Sequence, residues 1–236
     1  MISRSRFPRP LPVLYEDDAL LAIDKPPGLP AVPIQGSANP SALSLVAASL
    51  ARKKQRAFVV HRIDRFASGI LLFAKTERDR EILVRQFLEH MPVRQYLAVV
   101  RGHLRQREGT LIHYFRRVGM FQKLRTEDDP EAARAALRYS VERFLRGATL
   151  VRVQLDTGLQ NQIRAQFSAI GHAVVGDRKY RPEETSEPRI DRVALHAAHL
   201  EFVHPRSGKK ISVACKPPRD FELLIRSLSP RGADRN

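Results

Sequence analysis

The chain has a single cysteine, Cys215, in 236 residues. One thiol cannot form an intrachain disulfide or a cysteine-based zinc site, and it suits a reducing cytoplasm. No apolar run approaches the length needed to span a bilayer. The opening "MISRSRFPRPLPVLYEDD" has positive charge but no hydrophobic core before its prolines and acids, so it does not read as a secretory signal. A Walker phosphate loop, G-x-G-x-x-G and H-E-x-x-H are also missing, which argues against nucleotide hydrolysis and zinc-protease chemistry. Acidic residues are scarce. Lys and Arg number 41 against 25 Asp and Glu, giving a net charge of +16. That imbalance points to a polyanionic partner, nucleic acid before acidic membrane. The apolar share of 43% is ordinary, so the chain can bury a core.

Residues 1–12 read as a basic arm, 13–228 as one domain and 229–236 as a loose tail. "VLYEDDALLAIDKPPGLPAVP" reads as two short strands around an acidic turn, closed by Pro-Pro-Gly. "NPSALSLVAASLARKK" predicts a helix capped by Asn39 with Pro40 first. "GILLFAKT" has the length and character of a strand buried on both faces. "DREILVRQFLEHM" predicts an amphipathic helix with Ile82, Leu83, Phe87 and Met91 on its apolar side. "RQYLAVVRG" returns as a strand. Residues 101–126 hold seven Lys or Arg against one acid, Glu108, and show the least regular pattern. "ALRYSVERFL" and "TLVRVQLDTG" alternate like paired antiparallel strands. "NQIRAQFSAIGH" is helical and ends at Gly171; residues 181–189 form a loop; a hairpin turns at Arg206-Ser207-Gly208; "RDFELLIRSL" is the last helix. Strict βαβ alternation is absent, which favours α+β with a mostly antiparallel sheet.

Several side chains could carry chemistry. Asp64 stands between Arg62 and Arg65, just before the buried strand. The arginines would favour its ionised form; an ordinary ion pair near a strand end fits equally. Tyr96 is either core or a surface on which a base stacks. Gln160, Asn161 and Arg164 can share a helix face, read in isolation as solvated. Gly171 and Gly176 bracket a short apolar run, read either as a plain helix-to-strand turn or as a place where backbone comes close to another chain. His196 and His199 on a strand would point to opposite faces, which disfavours a shared metal.

Taken in order, these segments resemble the RluA-type pseudouridine synthases. "HRIDRFASGILLFAKT" resembles that family's catalytic segment, "RQYLAVVRG" its tyrosine segment, and "TGLQNQIRAQFSAIGHAVVGDRKY" its third motif. The opening strands and closing hairpin are similar too, so the likeness runs from about Val13 to about Lys216. It implies the pseudouridine synthase fold, with a cleft across the sheet. It implies Asp64 as the catalytic aspartate, Tyr96 beneath the flipped base and Arg164 as the basic partner of the aspartate. Arg62 would enter the RNA stack, and Ile163 would form apolar wall; His61, Arg65, Gln162 and Asn161 complete the implied substrate-binding set. Neither cofactor nor metal is implied. The partner is ribosomal or transfer RNA, and the default is a cytoplasmic monomer without a preceding RNA-binding module. The seven cations of residues 101–126, with Lys53, Lys54, Lys209 and Lys210, are candidates for the phosphate path. Leu159, Asn161, Gln166, Phe66 and Ala67 depart from the pattern, which bears on the substrate rather than the reaction. A catalytically silent RNA-binding or ribosome-assembly factor with the same fold is the alternative; a base-excising glycosylase would want a water-activating group beside Asp64.

Overall fold

The structure, a computed structural model, describes residues 7–8, 10–180 and 189–230. The loop expected over 181–189 and the end of the tail lie almost wholly outside them. The chain gathers into two compact units. The first runs through Val93 and includes Ala197–Lys216; the second holds Arg94–His196 and the residues from Pro217 onward. The stretch 13–228 expected as one domain is divided between the two units. Among the described residues, four helices and mostly antiparallel strands give the α+β class expected.

In the first unit, β1 (Val13–Glu16) and β2 (Leu20–Lys25) form the hairpin read from the sequence. Its acidic turn has a purpose: Asp17 Oδ1 accepts the amides of Ala19 and Leu20 at 2.8 and 2.9 Å. β2 pairs antiparallel with β4 (Ser68–Ala74), from Leu20 opposite Ala74 to Lys25 opposite Gly69. β4 is buried at every position. Side chains alternate across it, so each face needs its own cover. Leu71 and Phe73 meet α1 (Ala42–Ala51) through Ala42, Val46 and Leu50. Ile70, Leu72 and Ala74 meet Leu83 of α2 (Glu77–Leu88). Phe7 and Leu11, from the expected arm, pack with the α1 layer. β3 (Phe58–Val59) pairs with the end of β4, too short to leave a pattern.

Two helix ends differ from expectation. α1 is capped by Ser41, not Asn39: Ser44 N–H donates to Ser41 Oγ at 3.1 Å and Ser41 N–H to Ser44 Oγ at 2.9 Å. This reciprocal box satisfies two donors that Asn39 would leave open. Met91 is 55% exposed, because α2 stops at Leu88 and His90 turns the chain in a left-handed conformation. Buried Gln86 takes the inward place, donating to the Val203 carbonyl and accepting its amide at 2.8 and 3.0 Å. The last strands are β10 (Leu195–Val203) and β11 (Lys210–Ala214), paired antiparallel around the expected turn. Cys215, just after β11, is buried, and burial with Asp24 nearby pushes its thiol up to about 12.

The second unit contains β5 (Val93–Arg101), β6 (Glu108–Val118), β7 (Phe121–Arg125), β8 (Ala133–Leu145) and β9 (Ala148–Leu155). Their order is β5-β9-β8-β6-β7, each pair antiparallel. The region expected to be irregular is therefore a regular hairpin, β6–β7. Its order comes from the distant β8, which faces β6 from Glu108–Ser140 to Phe115–Ala133. Local periodicity carries no trace of such pairing. α3 (Gln162–Ala169) ends before Gly171 at φ +80°. α4 (Arg219–Leu228) buries Phe221, Leu224 and Leu228, and Arg192 grips Asp220 at 2.6 and 2.9 Å.

Gly69 sits at φ +106°, and a β-carbon there would stand 2.2 Å from the Ala197 carbonyl oxygen. Backbone must yield to admit it. Gly69→Ala is expected to lower stability by at least about 2 kcal/mol in urea denaturation.

Candidate active site

Asp64 lies in the irregular stretch between β3 and β4. Its carbonyl accepts the Ala67 amide at 3.1 Å, closing a turn directly before β4. The turn is held from below by the Pro-Pro-Gly loop that follows β2. Gly28 N–H donates to the Arg65 carbonyl at 2.8 Å, and Arg65 Nε returns a bond to the Gly28 carbonyl at 3.0 Å. Beneath both is Lys25, a residue with no exposed surface. Its ammonium donates to the carbonyls of Pro26 and Leu29 at 2.9 Å and of Arg65 at 3.1 Å. A buried ammonium without partners would be prohibitive; carbonyl oxygens of Pro26, Leu29 and Arg65 are among those that Lys25 has.

His61 begins this stretch. Its Nε2 accepts the Leu72 amide at 3.2 Å, and its ring stacks on Phe87 at 4.6 Å. The imidazole thus ties the loop to β4 and α2. The arginines beside Asp64 behave differently from expectation. Arg65 turns to Gly28 and lies over the Phe66 ring at 5.3 Å, and Arg62 is exposed. Among the described residues neither makes an ion pair with the carboxylate, because neighbouring side chains in the turn diverge: 62 and 65 face outward while 64 is half-buried.

In the second unit, Tyr96 lies on β5 opposite Val153 of β9. Two residues earlier, on the same strand face, is Arg94, only 8% exposed. Burial pushes its guanidinium below the ordinary value, with Tyr96 and then Asp156 opposing. Arg94 Nη2 donates to the Thr157 carbonyl at 3.3 Å. A β-carbon on Gly158 would stand 2.7 Å from its Nη1. Arg94 therefore joins the tyrosine strand to the loop that leads into α3.

That loop is fixed from inside by two amides. Gln162 Oε1 accepts Thr157 Oγ1 and the Leu159 amide at 2.8 and 2.9 Å, while its Nε2 donates to the Ala136 carbonyl and to Gln166 Oε1. Gln166 Nε2 reaches the carbonyls of Leu111 and Ala135. Both glutamines are buried, as is Ile163. The departure at position 166 is therefore internal, its side chain bonding within the protein. Leu159 likewise packs with Phe115, Ala135 and Ala165.

Arg164 is also buried, not on a solvated face as its helix position suggested in isolation. Asp177 binds it twice, Nε to Oδ2 at 2.7 Å and Nη2 to Oδ1 at 2.8 Å. Asn161, in the left-handed conformation at φ +57°, accepts Nη1 at 2.9 Å. Asp177 in turn accepts the amides of Lys179 and Tyr180. Gly176, at φ +76°, lets this turn close: a β-carbon would meet the Arg192 carbonyl at 2.1 Å. The close approach at Gly176 is within the chain, to Arg192.

Sequence reading missed Lys25, Arg94 and Asp177. Lys25 had a signal, a lone cation ending an apolar strand. Asp177 had one in the Gly-Asp that follows the helix turn. Arg94 had none, since its partner is a backbone carbonyl.

The RNA pseudouridylate synthase family model matches residues 19–169. "Ribosomal large subunit pseudouridine synthase D" of Zymomonas mobilis is 33% identical over 231 residues, covering 93% of this chain and 73% of its own. "tRNA pseudouridine synthase C" of Haemophilus ducreyi is 29% identical over 238 residues, covering 91% and 94%. Among solved structures, "Human RNA Pseudouridylate Synthase Domain Containing 4" superposes with a TM-score of 0.75 at 20% identity, covering 92% of each chain.

Two substitutions test the fixed loops. Lys25→Met leaves buried carbonyl oxygens unmatched, so stability should fall by about 3 kcal/mol and the Gly28 amide should exchange faster in deuterium. Asp177→Asn breaks the grip on Arg164; a loss of about 3 kcal/mol is expected, and pairing Asp177→Leu with Arg164→Met should recover part of it.

Proposed function

We propose, for a chain that belongs to the RNA pseudouridylate synthase family, that Asp64 is the carboxylate acting at C1′ of a uridine everted from structured RNA. The reaction is an isomerisation. The N1–C1′ bond breaks, the uracil turns, C5 joins C1′, C5 gives up its proton and N1 gains one. Electrons and atoms balance within the substrate, so the chemistry demands neither oxidant nor reductant. C1′ is electron-poor along the way, as in glycoside hydrolysis, and an anion beside the sugar stabilises it. A second carboxylate to activate water would divert the sugar to hydrolysis.

The observation that carries this reading is the immobilised turn. Asp64 stands on backbone bonded to Gly28 and Lys25 and leads into a strand buried along its length. Such a mount holds a carboxylate at one place, which positioning at a reacting carbon requires. Tyr96 is the surface for the turned base. Arg164, aligned by Asp177 and Asn161, is the basic residue of the proposed catalytic set. Arg62, exposed, fills the gap that the uridine leaves. For His61 and Gln162, whose polar atoms bond inside the protein, support is for positioning the loops rather than touching RNA. Ribosomal and transfer RNA, named for the relatives, are the substrate classes, and the working state is a cytoplasmic monomer.

Asp64→Asn should reduce pseudouridine formation by at least about a hundredfold while RNA binding persists. Carbodiimide mapping of RNA from cells with wild type, variant or neither checks it. Equal rescue of growth by both proteins, with no new pseudouridine from either, would favour the silent assembly factor.

A further inference from the structure

The C-terminal turn of α1 carries Arg52, Lys53, Lys54 and Arg56, all exposed. Its backbone is unusual. Gln55 N–H returns to the Leu50 carbonyl and Lys54 N–H to the Ala51 carbonyl, each at 3.0 Å. This closing pattern places one residue in the left-handed region, where glycine is strongly preferred because a β-carbon is strained there. Here that residue is Lys54, at φ +58°. The chain uses glycine at the same kind of position after α3, at Gly171, and a histidine, His90 at φ +56°, after α2. A lysine is thus kept where its backbone is disfavoured.

Packing does not explain the choice. Lys54 is exposed, and among the described residues it makes no ion pair and no side-chain hydrogen bond; the same holds for Arg52. Lys53 pairs with Glu16 at 3.0 Å, and Arg56 lies over Phe58 at 5.1 Å. A cation at a helix C-terminus gains a little from the dipole, but Arg52 and Lys53 already supply it. Strain retained at an exposed charge is a mark of function.

We propose that this turn is a phosphate-backbone contact for the substrate RNA, with Lys54 held in a strained conformation for its charge. The inference rests on the reading of the chain as an RNA-modifying enzyme and adds a surface away from the reacting carboxylate's own loop. A protein of net charge +16 meeting a polyanion has use for such a contact.

The test is one substitution with opposite effects on two readouts. Lys54→Gly should raise the thermal midpoint by about 2 °C, as the strain is relieved. It should also weaken binding to deproteinised large-subunit ribosomal RNA, or to bulk transfer RNA as a second probe, by about threefold. The slope of log affinity against log salt should fall by about 0.7–0.9. Lys54→Asn, which tolerates the same backbone without the charge, should show the same slope, and Lys54→Arg should keep that of the wild type. A raised midpoint with unchanged slope would overturn the proposal, as would a lowered midpoint. Loss of binding to phosphatidylserine vesicles but not to RNA would assign the turn to a membrane and overturn it too. Pseudouridine formation by the wild type is scored separately. If it is absent while Lys54→Gly still loses RNA affinity, the catalytic reading fails and the contact stands.

Discussion

A positive charge sealed inside the protein organises the first unit. Lys25 has no exposed surface, and its ammonium donates to carbonyls of the loop after β2 (Pro26 and Leu29) and of the turn bearing Asp64 (Arg65). Removing an ammonium from water is costly, and the cost is offset only while all three oxygens stay in place. The loop after β2 and the turn bearing Asp64 are thereby fixed as one piece. Gly28 and Arg65 then bond reciprocally across the same junction. The loop that carries Asp64 is held by backbone solvation of a buried charge as well as by buried Leu29, Ile63 and Ala67.

The second unit uses the same device with the sign completed by a side chain. Asp177 binds Arg164 through two bonds and is itself satisfied by two amides. Such a network specifies one orientation of the guanidinium. Two buried glutamines do similar work for the loop before α3. The positions at which this chain departs from the RluA-type pattern divide accordingly. Leu159 and Gln166 serve packing and internal bonding, whereas Asn161 touches Arg164 directly. Of these three, Asn161 is the one that bonds to a residue of the proposed catalytic set.

What could be read in advance follows a physical rule. β4 was legible because burial on both faces leaves an unbroken apolar run, and α4 because its apolar residues recur at helical spacing. The β6–β7 hairpin was not, since its order is borrowed from β8, more than a dozen residues along the chain. The cap of α1 was misplaced because Ser41 and Asn39 are equally plausible until the partner Ser44 is seen bonding back. At the site, motif order gave Asp64, Tyr96 and Arg164 their expected roles. Hidden from it were the groups that hold those residues, since a buried lysine or aspartate is defined by what surrounds it.

Cys215 completes the picture from another direction. Its thiol is buried and so weakly acidic that almost none is thiolate near neutrality. Alkylating reagents and mild oxidants should pass it by. The native molecule is then a blank background for site-directed chemistry: a cysteine introduced on any exposed loop would be the only reactive sulfur, ready to carry a dye or a crosslinker without first deleting the natural one.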